Sequence, residues 1–290
     1  MKRTRLGLSI SVLLILTVLI TGCFKKEESK VREEGVLKVW VTVLPQADLV
    51  RKIGGELVEV NVLVPKGASP EDYEIPPGRL KELSQADVYF VVGHLPLERV
   101  WIERIKGINK DLLVVDTSQG IEIIDDNPHI WLSPRLVAIQ SRHIYEALSS
   151  IDDENKGYYE ENYAALQDEL EKMDEDIAEL FTGIKTRMFL TYHPAWTYLA
   201  RDYGLTELAI EEHGKEPGPK HVAHIIDVAK KNGIKIVFAS PQHSIKSAQV
   251  IAKELGGEVK IIDPLPEDYR ELYETVSLIA DAMRRAEKNK

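Results

Sequence analysis

Two sets of short apolar runs, each alternating with helical patterns, flank a stretch with one unbroken helical period. This arrangement constrains the fold more than any other feature of the chain. The first set reads as buried strands at Leu37–Val43, Val58–Val64, Val88–Val92 and Leu112–Val115, with helices near Gln46–Ile53, Pro77–Leu83 and Leu97–Ile105. The second reads as strands at Met188–Tyr192, Thr206–Ile210, Lys235–Ala239 and Val259–Ile262, with helices near Ala195–Asp202, Lys220–Lys231, Ile245–Leu255 and Pro266–Ala286. Apolar runs without alternation suit strands covered on both faces, and regular strand–helix alternation implies parallel sheets flanked by helices. The expected class is therefore α/β in two lobes.

Between the sets, Tyr159, Tyr163, Leu166, Leu170, Met173, Ile177 and Leu180 recur at alternating steps of four and three, one face of a single long helix. Asp152 or Asp153 is placed to cap its start, and Gly183 follows its end. A helix of about 28 residues would be about 42 Å long, enough to run the height of a lobe. The same period could line a coiled-coil seam, but tyrosines fill its first heptad, which favours packing against both lobes as a bridge. A weaker signal is an internal echo. Gly54-Gly55-Glu56 and Gly256-Gly257-Glu258 each stand between a helical pattern and a strand.

The first residues read as a leader. Lys2, Arg3 and Arg5 precede a mostly apolar run from Leu6 to Ile20, shorter than the roughly 20 residues of a membrane span. The run ends in Ile20-Thr21-Gly22-Cys23, which looks like a lipobox whose cysteine is lipidated. Cys23 is the single cysteine, so disulfides and thiolate metal sites within one chain are excluded. Residues 24–35 are charged and aperiodic, a tether. The expected organisation is a signal peptide 1–22, lipidated Cys23 and tether 23–35, N-terminal lobe 36–150, bridging helix 151–183 and C-terminal lobe 184–290. The net charge of −10 becomes −13 once the leader's three basic residues are gone. An acidic body argues against nucleic acid and suits a cation ligand.

Open parallel sheets bind ligands at the carboxyl ends of their strands. Metal-type side chains at such positions are Glu71 in Ser69-Pro70-Glu71-Asp72-Tyr73, His129 in Asn127-Pro128-His129-Ile130-Trp131, His193 in Tyr192-His193-Pro194, and Asp263 in Ile262-Asp263-Pro264. They are separated by 58, 64 and 70 residues, so no local finger or helical HxxxH motif exists. A joint site must be assembled in space between the lobes. His213, His221 and His224 read as loop and helix start, and His94, His143 and His243 as structural or exposed. Trp131 and Trp196 read as packing beneath the site.

In order along the chain, these segments resemble those of the solute-binding proteins of manganese and zinc ABC importers, the helical-backbone metal receptors. Members carry Gly-x-x-Pro-His-x-Tyr-Glu-Pro, matched by Gly67 to Pro76, and Asp-Pro-His-x-Trp-Leu, matched by Asp126 to Leu132. They also carry a strand-ending His before Tyr-Gly-Leu, here His193 to Leu205, a Leu-Glu pair with a Trp, here Leu97-Glu98 and Trp101, and a closing Asp-Pro-Leu, here Asp263 to Leu265. The resemblance covers nearly the whole mature chain. It implies two lobes bridged by one rigid helix, with a divalent ion held by Glu71, His129, His193 and Asp263. Glu71 departs from the family's first histidine. If it does not bind, Asp72 or water would fill the place. Two imidazoles with two carboxylates lean towards Mn²⁺ or ferrous iron without excluding Zn²⁺. The implied role is that of a monomeric, lipid-anchored receptor, not an enzyme, on the extracytoplasmic face of the membrane or in a periplasm. It would pass a transported Mn²⁺ or Zn²⁺ to an ABC permease. The alternatives are a metal-dependent hydrolase or a receptor for a metal chelate.

Overall fold

In the computed structural model, which describes residues 35–211, 217–243 and 245–288, each of the eight apolar runs forms a strand. These are β1 (Leu37–Val41), β2 (Val58–Val62), β3 (Val88–Val91), β4 (Leu113–Asp116), β5 (Met188–Thr191), β6 (Thr206–Ala209), β7 (Ile236–Ala239) and β8 (Glu258–Ile261). They make two four-stranded sheets, ordered β2-β1-β3-β4 and β6-β5-β7-β8, with every pairing parallel. The strand order reverses at the β1/β3 pair in one lobe and at the β5/β7 pair in the other. At such a point the helices leave opposite faces of the sheet and a crevice opens beyond the strand ends.

Flanking the sheets are helices α1 (Leu44–Gly54), α2 (Pro77–Leu83), α3 (Pro96–Ile108), α4 (Pro134–Ile151), α5 (Lys156–Leu180), α6 (Thr197–Asp202), α7 (Pro219–Lys231), α8 (Ile245–Glu254) and α9 (Tyr269–Lys288). Helix α4 has no counterpart among the helical patterns of the sequence. It begins at Pro134 behind the Ser133 cap, whose hydroxyl accepts the Leu136 amide at 3.3 Å. Its buried face mixes Leu136, Val137, Ile144 and Leu148 with Gln140 and Ser141, and the polar members break the apolar rhythm.

The bridging helix is α5, 25 residues and about 38 Å long. The expected aspartate cap does not form there. The Asp152 carboxylate accepts from the Asn155 amide and from the Tyr159 hydroxyl at 2.6 Å, so a 3₁₀ turn at Asp153–Asn155 precedes the helix. Gly183, at φ 77°, follows the helix end where the sequence places a glycine stop. The buried face of Tyr159, Leu166, Leu170, Met173 and Ile177 packs against α1 and α4 of the first lobe and α9 of the second. The heptad-like rhythm therefore serves packing within the chain. One hydrophobic core runs through both lobes and α5, and a smaller one fills the outer side of the second lobe.

The glycine echo has a local cause. Gly55 (φ 53°) and Gly256 (φ 62°) take the left-handed turn, while a Cβ on Gly257 would fall 1.7 Å from the Lys235 carbonyl oxygen and one on Gly54 would meet Val58. The strands that follow are not equivalents, however. β2 neighbours the first strand of its lobe, whereas β8 is the far edge of the other. The lobes share a topology, but the echo is not its trace. Among the described residues, no helix is long and apolar enough to cross a membrane.

Candidate metal centre

Glu71 comes from the loop after β2, His129 from the loop after β4, and His193 lies two residues past β5. The folded chain brings these three together. His129 Nε2 lies 3.8 Å and His193 Nε2 3.5 Å from Glu71 Oε1, and the two imidazole rings meet edge to face with centroids 5.1 Å apart. Both histidines are buried and Glu71 is half-buried at the mouth. One imidazole nitrogen from each histidine and one carboxylate oxygen lie within 4.8 Å of one another, a spacing that fits a single divalent ion.

The ring orientations are imposed from outside. Asn127 Nδ2 donates to the Pro194 carbonyl at 2.7 Å and to Thr197 Oγ1 at 3.1 Å, which turns its Oδ1 towards His129. That oxygen accepts the His129 backbone N–H at 3.0 Å and lies 2.8 Å from Nδ1. Nδ1 therefore carries the proton and Nε2 faces Glu71 as a bare donor. His193 Nδ1 donates to Glu211 Oε2 at 2.6 Å, which likewise aims Nε2 at Glu71. Beneath the rings, Trp131 is fully buried 5.0 Å from the His129 ring and donates Nε1–H to the Pro264 carbonyl at 2.7 Å. Trp196 is buried too, its amide held by Glu207. Glu207 also accepts from Thr191 and Thr197, and burial pushes its carboxyl up to about 7 against these bonds. Glu98, of the Leu-Glu pair, does the same in the first lobe. It is fully buried and pushed up to about 7, and it accepts the amides of Val92, Gly93 and Leu95.

These surroundings set the charges. Burial, reinforced by the charge of His193, drives His129 down to about 3, so it is a neutral ligand throughout the physiological range. Burial also opposes a charge on His193, but the hydrogen bonds to Glu211 and Glu71 prevail and raise it to about 9. Burial would lift Glu71, yet the hydrogen bond with His193 and the charge of that ring hold it below the usual carboxylate value. Beside the site opens a cleft of about 590 Å³, lined among others by Glu71, His94, Asp125, Asp126 and Glu211.

Asp263 stands apart from this group. Its Oδ1 accepts Gln242 Nε2 at 2.8 Å and the Leu265 amide at 2.9 Å, and it lines a separate small hollow with Val43, Lys66 and Gly67. In its stead two residues that sequence reasoning left aside lie next to His193: Glu211 and His243, whose ring stacks on that of His193 at 4.6 Å. Both sit just beyond the carboxyl ends of strands, β6 and β7. The rule that singled out His193 would have found them had it been applied to every strand. His143 bonds the Gln119 carbonyl at 2.9 Å, away from the site, and Cys23 and His213 lie outside the described residues.

The family model described as "ZnuA: Zinc-uptake complex component A periplasmic" matches residues 39–284. The chain belongs to the ZnuA family. A crystal structure of ZnuA superposes with a TM-score of 0.82 at 38% identity, covering 86% of this chain and 99% of that one. A zinc-bound ZnuA deletion mutant gives 0.79 at 36% identity, covering 88% and 98%. The zinc-binding lipoprotein AdcA of Streptococcus pneumoniae strain R6 is 27% identical over 281 residues, covering 88% of this chain and 55% of that protein. The chain thus spans about half the length of its AdcA relatives. Within the ZnuA frame, Asn127 is a residue whose loss should be felt without any ligand being touched. Asn127→Ala frees the His129 tautomer and cuts a tie to Pro194 and Thr197. It should weaken zinc binding about 10- to 100-fold in chelator competition, the usual effect of losing such a partner.

Proposed function

We propose that this chain captures a divalent cation, zinc foremost, between its lobes through His129, His193 and Glu71, and hands it to an ABC permease. The convergence of the two imidazole Nε2 atoms on the Glu71 carboxylate carries this reading. The donor set on its own suits manganese or iron as well; membership of a zinc-uptake family tips it to zinc. The fourth ligand is Asp263 if its loop turns, Asp72, or water. The chain acts as a receptor and not as a catalyst, on the outer side of the membrane. Cys23 carries the lipid anchor behind a signal peptide of residues 1–22, and AdcA of S. pneumoniae, itself named a lipoprotein, supports this. Cys23→Ala should move the chain from the membrane fraction to the soluble one.

Native mass spectrometry of the purified chain against zinc and manganese tests the capture. One ion per chain is the expected result, with zinc displacing manganese. No binding of either ion ends the proposal.

The site also dictates a pH response. In the ion-free chain His193 holds a proton up to about pH 9, so an ion arriving at neutral pH must displace it from Nε2. Affinity should therefore rise with pH up to about 9. Titration calorimetry in buffers of different ionisation heat should show close to one proton released per zinc at pH 7. The ion-free fold responds in the opposite sense. A histidine raised above its unfolded value of 6.5 stabilises the chain fully below that pH and loses this contribution as pH climbs through 9. Zinc should thus raise the melting temperature most where the ion-free chain is weakest.

A further inference from the structure

We infer that Glu211 and His243, together with the Nδ1 side of His193, form a second position for a divalent cation, next to the first one and sharing its histidine. This rests on the metal-capture reading and extends it from one resting place to two.

The observations are geometric. His193, Glu211 and His243 each offer a donor atom, and these atoms lie within 4.8 Å of one another, as close a grouping as Glu71, His129 and His193 make. The rings of His193 and His243 lie nearly parallel, 22° apart with centroids at 4.6 Å, and the Glu211 carboxylate reaches His193 Nδ1 at 2.6 Å. His193 and His243 follow β5 and β7, the two strands that flank the reversal of strand order, and Glu211 follows β6. The ligand-binding edge of the second lobe thus delivers all three. Two imidazoles and a carboxylate form a donor set of the kind found at zinc sites that keep an open position, with water completing the shell.

The two groups cannot use His193 independently. Nε2 faces Glu71 and Nδ1 faces Glu211. A neutral imidazole offers one lone pair, so an ion on one side leaves the ring's proton for the carboxylate on the other. One ion at a time is served, in either of two adjacent positions. Glu71, His129, His193 and Glu211 all line the open cleft, and His243 lines a smaller hollow with Glu71, His129 and His193. The two positions lie on either side of one ring, so an ion held by Glu211 and His243 is one imidazole away from Glu71 and His129. A competing view gives Glu211 only the task of orienting His193, with His243 as packing.

The two views separate in a chain whose first group is disabled. Glu71→Gln/His129→Asn removes the carboxylate and the His129 Nε2, lets the new amide keep the bond to Asn127, and keeps His193. The full chain with this pair of changes should still bind one zinc in chelator competition, more weakly than the wild type. Adding His243→Ala should then weaken it about tenfold or more. If the paired variant melts as a folded protein and binds no zinc, or if His243→Ala leaves its affinity unchanged, the second position does not exist. Should the paired variant fail to fold, Glu71→Gln alone, with and without His243→Ala, carries the same comparison, and equal affinities overturn the inference. Failure of the wild type to bind zinc would instead sink the capture reading, and this one with it.

Discussion

Replacing His193 is expected to reduce zinc affinity by a factor of about 100 or more, beyond the 10- to 100-fold loss typical of an outer partner. No other side chain takes part in so many of the contacts. Its Nε2 faces Glu71 at 3.5 Å, its Nδ1 donates to Glu211 at 2.6 Å, and its ring touches those of both His129 and His243. Alanine would also strand Glu211, whose side chain is 9% exposed, as a carboxylate without its buried partner. Breaking a buried pair of this kind costs about 3–5 kcal/mol, so lost binding could be confused with lost fold. His193→Asn avoids the confusion. An asparagine amide can occupy the Nδ1 position and still donate to Glu211, but it has nothing where Nε2 was. The expected result is a chain that stays folded without metal, melting below the wild type at neutral pH because the imidazolium charge is gone, and shows no zinc-dependent rise in melting temperature. Retention of zinc by His193→Asn at wild-type affinity would remove the metal centre described above. Glu71→Ala is expected to do less damage than His193→Asn, because water or the neighbouring Asp72 can supply an oxygen where an imidazole nitrogen cannot be replaced.

What the sequence could reveal followed from periodicity, and what it hid followed from contacts with no local signature. Strands buried on both faces leave continuous apolar runs, so β1 to β8 were legible. The long bridging helix was too, because its buried side is purely apolar over six turns. Helix α4 escaped because Gln140 and Ser141 sit on its buried face, where Gln140 Nε2 bonds the Ile130 carbonyl and Ser141 bonds Gln167. The loops bearing Glu71, His129 and His193 could be named because short motifs surround them. Nothing around Glu211 or His243 resembles a motif, and their place beside His193 comes from the parallel pairing of β5 with β6 and β7. Asp263 had the motif, yet its carboxylate is engaged by Gln242 and the Leu265 amide. A sequence shows which side chain stands at a strand end, not which way it turns. Glu98 and Glu207 make the same point from the other side. Glu98 stands out only as half of a Leu-Glu pair and Glu207 not at all, yet each is a buried staple that collects donors from the loop after a central strand.

Trp131→Ala is expected to be the most destabilising single change near the site and to lower zinc affinity through a residue that touches no ion. The indole is fully buried, and truncating a buried aromatic costs about 3–5 kcal/mol. It also strands the Pro264 carbonyl, which accepts the indole N–H at 2.7 Å across the two lobes. For a body of this size each kcal/mol moves the melting temperature by about 2–4 °C, so a fall of about 6–20 °C is expected. Trp131→Phe keeps most of the packing and loses the cross-lobe bond, and should fall by a smaller step set by the unpaired carbonyl, about 1–3 kcal/mol. The effect on zinc is separable from the effect on the fold. Saturating zinc raises stability by an amount fixed by its affinity for the folded chain, whatever that chain's starting stability. If Trp131 served the core alone, zinc would lift Trp131→Ala by the same free energy as the wild type. Because its ring supports that of His129 at 5.0 Å and its N–H fixes the loop carrying Asp263, the increment should shrink. An unchanged increment would mean that the lobes hold His129 in place without the indole beneath it, and that the coupling of core to metal runs through Asn127 instead.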